Sequence, residues 1–239
     1  MKKLLLASAA AMTFTALPSL SHAELAFNVG ATSDYRYRGI SQTRVKPALQ
    51  GGIDYSQGGF YLGTWASTIK WIKDFNGAAN VEVDVYGGYK GELAAGLGYD
   101  VGVLSYVYPS NKLSPSANTT ELYGAMTWGA TTLKYSHAVT DTFGNADSKN
   151  SFYVDLSTGI DLGDGFTLTP HVGYQRIAGP LKDSASYTDY SLTVSKDFSG
   201  VLLSLALVGT DADKSFYSSP VNGKELGKTG VVLGLKYAF

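Results

Sequence analysis

Hydrophobic and polar residues alternate over many short segments of this 239-residue chain. Near its beginning Leu25, Phe27 and Val29 alternate with smaller or polar residues, and near its end Leu233 and Leu235 alternate with glycine and lysine. Residues two apart lie on the same face of an extended strand, so this pattern predicts amphipathic β-strands. Beyond the first 23 residues, no segment combines helical apolar spacing with capping residues, and glycine within the periodic segments would weaken a helix.

The alternating segments predict about 12 strands, and the connections between them alternate between short turns and longer polar loops. The predicted strands lie at 25–38, 46–56, 60–67, 80–90, 93–108, 119–128, 131–140, 151–162, 166–177, 187–198, 201–211 and 228–239. Short links on one rim and long links on the other are typical of an up-and-down barrel in an outer membrane. The expected fold class is therefore all-β, an up-and-down antiparallel transmembrane β-barrel.

Three local features of the sequence modify this strand assignment. One of the short turns is expected around Gly91. Pro170 lies inside a predicted strand, where it would remove a hydrogen-bond donor, so that strand is expected to start late or carry a bulge. The alternation in residues 60–67 is too poor to assign the two faces of that strand.

The N-terminus has the order of a secretory signal peptide. Two lysines precede an apolar stretch that Pro18 interrupts, and the small residues Ser21 and Ala23 occupy the positions that a signal peptidase reads. The apolar stretch is shorter than the roughly 20 residues that a membrane-spanning helix needs. We expect cleavage after Ala23, which makes residues 1–23 the signal peptide and residues 24–239 the outer-membrane barrel.

Composition narrows the possible functions. The chain has 19 Lys and Arg against 20 Asp and Glu, and no basic cluster points to nucleic acid as a partner. It has no cysteine, so disulfide bonds cannot stabilise it. No cofactor, metal or catalytic residue is assigned from the sequence. Stability is expected to come from packing and from a closed hydrogen-bond ladder, which leaves no unpaired strand edge in lipid.

Aromatic residues recur towards the strand ends, where a barrel in a membrane has its interfacial girdles. The aromatic residues expected there are Tyr35, Tyr37, Tyr106, Tyr108, Trp128, Tyr237 and Phe239. A terminal Phe that closes an alternating strand also resembles the assembly signal of bacterial outer-membrane barrels. The expected location is the bacterial outer membrane. The expected partners are outer-membrane lipid and lipopolysaccharide, the barrel-assembly machinery, and ions or small solutes.

Several stretches between residues 28 and 109 read like segments of one known family. They are NVGATSDYRYRGISQT at 28–43, PALQGG at 47–52, YLGTWAS at 61–67, GYDVG at 98–102 and YVYP at 106–109. Together they resemble the TorF-like putative porins, a proteobacterial family formerly described as uncharacterised (Gcw_chp). The resemblance implies an outer-membrane barrel and implies little about the solute, because the family is defined by sequence.

The polar faces of the strands are expected to line the lumen, where rings of charge set ion selectivity or pair across the barrel to hold its shape. The candidate pore-lining residues are Asp34, Arg36, Arg38, Asp54, Glu82, Asp84, Lys90, Asp100, Glu121, Lys134 and Asp155. Twelve strands lie between about 8, which side chains fill, and about 16, which leave an aqueous channel. The expected function is therefore a narrow porin-type pore, easily obstructed by long side chains or a folded-in loop.

The sequence also allows a prediction of ion preference and two alternative functions. If Asp161 and Lys236 also face the lumen, eight acidic residues stand against five basic ones and predict a weak preference for cations.

One alternative function is a non-conducting structural or surface-binding barrel. A more distant one is a lipid-modifying enzyme, since His137 shares the apolar phase of its strand but has no assignable partner. The tyrosines could form a sugar slide, yet most are expected in the apolar phase or near the rims.

Overall fold

The computed structural model describes residues 23–94 and 96–239, and the predicted signal segment before residue 23 lies outside them. Its strands are β1 (Glu24–Thr32), β2 (Arg36–Tyr37), β3 (Ile40–Ser41), β4 (Ala48–Gln57), β5 (Phe60–Thr68), β6 (Val81–Ala94), β7 (Leu97–Val107), β8 (Thr119–Trp128), β9 (Thr131–Ala138), β10 (Phe152–Thr158), β11 (Ile160–Gly163), β12 (Phe166–Arg176), β13 (Tyr187–Phe198), β14 (Val201–Thr210) and β15 (Gly230–Ala238). Two four-residue helices, α1 (Trp71–Asp74) and α2 (Lys182–Ala185), lie in loops. In this part of the chain no helix has the length and apolar character needed to cross a membrane.

The main sheet closes on itself. Leaving out the separate β2–β3 hairpin, and counting β10 and β11 as one strand, each strand pairs antiparallel with the next along the chain, and β15 returns to pair with β1 through Asn28↔Ala238 and its neighbours. Strands β10 and β11 pair with β12 in one register as far as Asp161, before a shift at Gly163, and therefore act as a single interrupted strand. The result is the predicted antiparallel barrel of 12 strands. Closure pairs the backbone groups that an open sheet would leave exposed at its edges.

Pro170 accounts for the interruption between β10 and β11. It lies inside β12, whose pairing with β13 continues through Pro170↔Leu192. On the other side of β12 the ladder breaks at Gly159 and then resumes in the same register. Proline has no N–H to donate, so one hydrogen bond of the ladder is missing there. The expected irregularity thus appears in the neighbouring strand, and β12 itself is continuous.

The outer surface of the barrel is apolar. On β14 the outward residues Leu203, Leu205 and Leu207 are 42%, 49% and 47% exposed, and the other strands follow the same alternation. On β5, whose faces the sequence leaves open, Phe60 and Leu62 point outward. Exposing so large a continuous apolar surface to water is unfavourable, whereas a barrel in the hydrocarbon of a membrane needs an apolar outer surface. The barrel therefore spans a membrane.

The turn predicted around Gly91 is wrong. Strand β6 continues to Ala94, and Gly91 pairs with Tyr99 inside the β6–β7 ladder. The tight connection instead carries Gly96, whose φ is +80°. A backbone with positive φ favours glycine, whereas Gly91 serves a different purpose: its missing side chain leaves room for the ring of Tyr99.

The first predicted strand, 25–38, is also too long. Strand β1 ends at Thr32, and residues 33–47, here called the inner loop, leave the wall and fold into the barrel. The loop contains the β2–β3 hairpin, which turns at Arg38 and Gly39 with φ values of +45° and +80°. It returns to the wall at Ala48, where β4 begins.

The core lies inside the barrel, because lipid covers its outside. One cluster of buried side chains joins Tyr35 of the inner loop to Ile69, Ile72 and Tyr106. A second cluster joins Ile40, also of the inner loop, to Tyr187 and Leu226. Both clusters lie towards the rim that carries the long loops. The inner loop thus packs against opposite sides of the lumen in this half of the barrel.

Candidate functional site

The inner loop is held in its bent shape by one carboxylate. Asp34 accepts hydrogen bonds from Arg36 Nε at 2.8 Å, Ser41 Oγ at 2.5 Å and Thr43 Oγ1 at 3.1 Å. Gly39 at the tip is pressed against the wall, where a Cβ would lie 2.9 Å from the Cβ of Asp189. Glycine is therefore required at the tip both for its positive φ and for this close approach.

Arg38 carries the tip of the inner loop across the lumen. Its Nη1 and Nη2 donate to the two carboxylate oxygens of Glu121 on β8, at 3.0 and 2.8 Å, and Nη1 also donates to Gln175 on β12. The guanidinium stacks on Tyr153 of β10 at 4.1 Å and on Tyr37 at 4.7 Å. Burial alone would lower the pKa of Arg38, but the Glu121 carboxylate raises it well above the usual arginine value. Arg38 is thus a permanent cation that latches the loop to the far wall.

The tyrosines at positions 35, 37, 106 and 108 do not form a girdle, and that prediction is wrong. Tyr35 and Tyr106 are buried in the interior, 6% and 4% exposed, and Tyr35 donates to Glu82 Oε1 at 2.6 Å. Tyr37 donates to the Tyr106 hydroxyl at 3.1 Å. Tyr35 and Tyr37 belong to the inner loop, which has left the wall, so their alternation no longer reports the lipid side, whereas Tyr106 is an inward residue of β7. Burial and the adjacent Glu82 raise the pKa of Tyr35 well above its usual range, which keeps its hydroxyl a donor.

Two of the long loops at this rim hold the inner loop in place. Arg44 pairs with Asp74 of α1, and Asp74 also accepts a hydrogen bond from Ser219 Oγ at 3.0 Å. Ser41 N donates to Leu226 O at 3.0 Å. Residues 69–80 and 211–229 are therefore tied to the inner loop. These contacts fix the inner loop in place inside the barrel.

Interior tyrosines recur with a common arrangement on the wall formed by β5 to β8. The ring of Tyr86 lies over Gly63, where a Cβ would come within 2.5 Å of it, and Tyr123 lies in the same way over Gly102. Tyr86 donates to Asp54 at 2.5 Å. These rings lie flat on the wall because the glycine beneath each has no side chain, which leaves the lumen open above them.

A third member of this arrangement, Tyr61 of β5, connects to β7 and β8. Tyr61 lies over Gly88, donates to Asp100 at 2.5 Å and contacts the hydroxyl of Tyr123. The expectation that most tyrosines lie in the apolar phase or near the rims is therefore wrong for the residues that carry this network. Its sequence signal, tyrosine and glycine in the inward phase of adjacent strands, becomes visible only when the register is known.

The candidate pore-lining residues fall into two groups, and all eleven lie in the interior. Around the inner loop lie Asp34, Arg36, Arg38, Glu82, Asp84 and Glu121, whose side chains are largely buried. In the half that carries the short turns lie Asp54, Lys90, Asp100, Lys134 and Asp155, each partly exposed to the interior space. The structure brings the first group together around Arg38, whereas the second group lies around the wall.

Charges in the second group alternate in sign around the barrel. Lys90 lies opposite Asp100 in the β6–β7 register, and Lys134 lies opposite Asp155 in the β9–β10 register. Lys236 on β15 continues the belt beyond Asp54 and is also partly exposed. Among these accessible residues, three carboxylates balance three ammonium groups. The acidic excess counted from the sequence comes mainly from carboxylates buried around the inner loop, which weakens the basis for a cation preference.

The opposite wall is lined by small side chains. Its inward residues include Leu202, Val208, Val232 and Lys236, but most are small, among them Thr193, Ser195, Ser204, Ala206, Gly234 and Gly30. These small residues project little into the lumen, whereas tyrosines and long charged side chains fill the space along β5 to β10. The least obstructed part of the lumen therefore lies along β13, β14, β15 and β1.

Sequence reasoning missed a polar cluster around His171. Its ring nitrogens lie 3.8 Å from Asp155 and 3.5 Å from Asp189, and Tyr153 donates to Asp189 at 2.9 Å. The strand phase of His171 already pointed inward, but its partners come from β10 and β13. His137, by contrast, faces outward and contacts Tyr135. Within residues 23–94 and 96–239 no group of three or more potential ligands is placed to hold a metal ion.

Fold and interior together define a closed transmembrane β-barrel with a polar, charged interior. The chain belongs to a bacterial family of unknown function, Gcw_chp, whose model matches residues 16–239. No protein with a curated description matches the sequence. The fold is similar to the KdgM porin, with a TM-score of 0.59, 8% identity and coverage of 90% of this chain and 99% of that one. It is also similar to the NanC porin, with a TM-score of 0.55, 13% identity and coverage of 90% and 99%.

Proposed function

We propose that this protein is a porin-like channel of the bacterial outer membrane that lets ions or small solutes pass by diffusion. The observation that carries the proposal is a closed barrel of 12 strands with an apolar outer face and charged, partly exposed residues inside. Charged residues such as Asp54 and Lys236 stay partly exposed to the interior space, and that exposure implies water in the lumen. A hydrated lumen open towards the short-turn rim accounts for that exposure.

The sequence resemblance of residues 28–109 to the TorF-like putative porins supports the same function. Among the structural neighbours, the KdgM porin is described in complex with disordered oligogalacturonate, so a barrel of this fold can bind an organic solute in that protein. For the present chain we propose a smaller solute, because the inner loop narrows the lumen. Outer-membrane lipid and lipopolysaccharide would surround the barrel. The barrel-assembly machinery would recognise the strand that ends at Phe239.

The inner loop sets the size limit of the proposed pore. It crosses the half of the barrel that carries the long loops, which is the external half in outer-membrane barrels. Side chains around it, such as Glu82, Glu121 and Asp189, are at most 2% exposed. Space for permeation is therefore confined to the small-residue wall beside the loop. The same observation favours a second candidate, a structural barrel that does not conduct while the loop stays seated.

Conductance in planar bilayers tests the proposal. The refolded protein is first checked for a closed barrel by its heat-modifiable migration on gels. Stepwise currents well below those of a 16-stranded porin, in the same salt, are the expected result. A correctly folded barrel that never conducts would instead establish the structural candidate. A lipase assay on the same preparation tests the lipid-modifying alternative directly.

A further inference from the structure

A cavity opens at the external mouth of the lumen, between the inner loop and the loop that precedes β15. Its volume is about 350 Å³, which is within the range of small-molecule sites. The residues that line it are Arg36, Val45, Lys224, Glu225, Lys228, Thr229 and Gly230. Three of them are basic and one is acidic. This concentration of basic residues is not explained by the lumen contacts described above.

The cavity has a rigid side, formed by Arg36. Its Nε donates to Asp34 at 2.8 Å, and its Nη1 donates to Lys228 O at 2.8 Å and to Gly39 O at 3.2 Å. Nη2 takes part in none of these bonds and lies beside Gly230, 3.1 Å from where a Cβ would be. The guanidinium is therefore oriented before any ligand arrives, with one amino group towards the cavity.

The other side of the cavity carries two exposed ammonium groups. Within the described residues the side chains of Lys224 and Lys228 make no ion pair, and the loop that bears them is joined to the inner loop by Ser41 N donating to Leu226 O at 3.0 Å. Asp34 offsets the charge of Arg36, and Glu225 offsets one more. The remaining positive charge is focused on one small concave space.

We propose that this cavity binds a small soluble anion bearing a carboxylate or phosphate group, at the external entrance of the lumen. An oriented guanidinium with ammonium groups nearby is the combination that proteins use for such groups. Lipopolysaccharide phosphates share this chemistry. However, Arg36 belongs to the inner loop and Gly230 is an inward position of β15, so the cavity faces the lumen. The role as an entrance rests on the proposed channel function, whereas the binding site does not.

The position of the cavity above β15 links it to the least obstructed wall. Below Gly230, the inward residues of β15 are Val232 and Gly234, and the next inward residue is Lys236. A solute released from the cavity would therefore meet small side chains first and a further ammonium group, that of Lys236, near the other end. The positive charge at both ends of this path favours the passage of anions.

The test uses the refolded full chain and isothermal titration with inorganic phosphate and with citrate. We expect saturable binding that weakens as ionic strength rises, because the lysines are exposed and their charges are screened. The variant Lys224→Gln/Lys228→Gln should bind roughly tenfold more weakly. The matched control Lys149→Gln/Lys182→Gln removes two exposed lysines from other loops and should bind as the parent does. Glu225→Gln should bind more tightly.

The outcomes separate this site from the channel function. The proposal is overturned by any of three results. The protein shows no saturable binding, or the Lys224/Lys228 variant and the control variant bind equally well, or the protein binds lipopolysaccharide but neither phosphate nor citrate. Binding that depends on Lys224 and Lys228 supports it even if the protein does not conduct, in which case only the channel function fails. If the protein conducts, the reversal potential in a salt gradient should shift towards cations in the double variant.

Discussion

Replacing Arg38 by alanine should release the tip of the inner loop. In the structure Arg38 is the side chain that joins the hairpin to the far wall, through Glu121 on β8, Gln175 on β12 and the ring of Tyr153 on β10. Alanine removes these contacts together and leaves Glu121 buried without its cation. The other attachments of the loop, including the Arg44–Asp74 pair, remain.

The size of the effect follows from the burial of the pair. The Arg38 and Glu121 side chains are 7% and 1% exposed, and their two hydrogen bonds are parallel. Removing one partner of such a buried pair costs about 3–5 kcal/mol. Since about 1.4 kcal/mol is a factor of ten, the ratio of seated to released loop tip should fall by roughly two to three and a half powers of ten.

Single-channel recording in planar bilayers measures this change. We expect Arg38→Ala to show a larger conductance or frequent transitions to a larger level, because the tip no longer occupies the external half of the lumen. Glu121→Gln keeps the shape of the pair but loses its negative charge, and it should change the current in the same direction by less. Arg176→Ala, which removes an exposed arginine at the end of β12, is the matched control.

A double variant distinguishes the latch from general damage. Arg38→Ala/Glu121→Ala leaves no orphan charge, so it should recover part of the lost thermal stability while keeping the enlarged conductance. Unchanged conductance and noise in Arg38→Ala, in protein that still migrates as a folded barrel, would refute the reasoning. It would mean either that the tip stays seated without Arg38 or that ions do not pass beside it.

Three further outcomes are expected. N-terminal sequencing of protein from the outer-membrane fraction should begin directly after Ala23, and recovery of the uncut chain would contradict export by a cleaved signal. Deletion of Phe239 should cause degradation or periplasmic accumulation, because this residue pairs with the first strand at the seam, and normal heat-modifiable migration would count against that role. Gly173→Val should lower thermal stability by about 1–3 kcal/mol, because its Cβ would overlap the ring of Tyr153, whereas Gly124→Val, with open space around it, should not.

The sequence alone determined most of the strands, and the lipid side of those whose alternation is regular. On β14, for example, Leu203, Leu205 and Leu207 face outward and alternate with inward residues. This alternation arises because hydrocarbon touches one face of a strand and the lumen touches the other. Loop lengths determined the topology, because a hairpin needs only a few residues at one rim. These properties depend on near neighbours in the chain and could be predicted without coordinates.

Only the tertiary structure decided what fills the lumen. The alternation of Asp34, Tyr35, Arg36, Tyr37 and Arg38 continues that of β1, so the sequence extends the strand through them. Inside the lumen, however, protein surrounds both faces of this segment, and the alternation no longer separates lipid from water. The partners that hold it, such as Glu121 and Gln175, lie 83 and 137 residues away along the chain. Barrel closure brings them together, and no local pattern records that proximity.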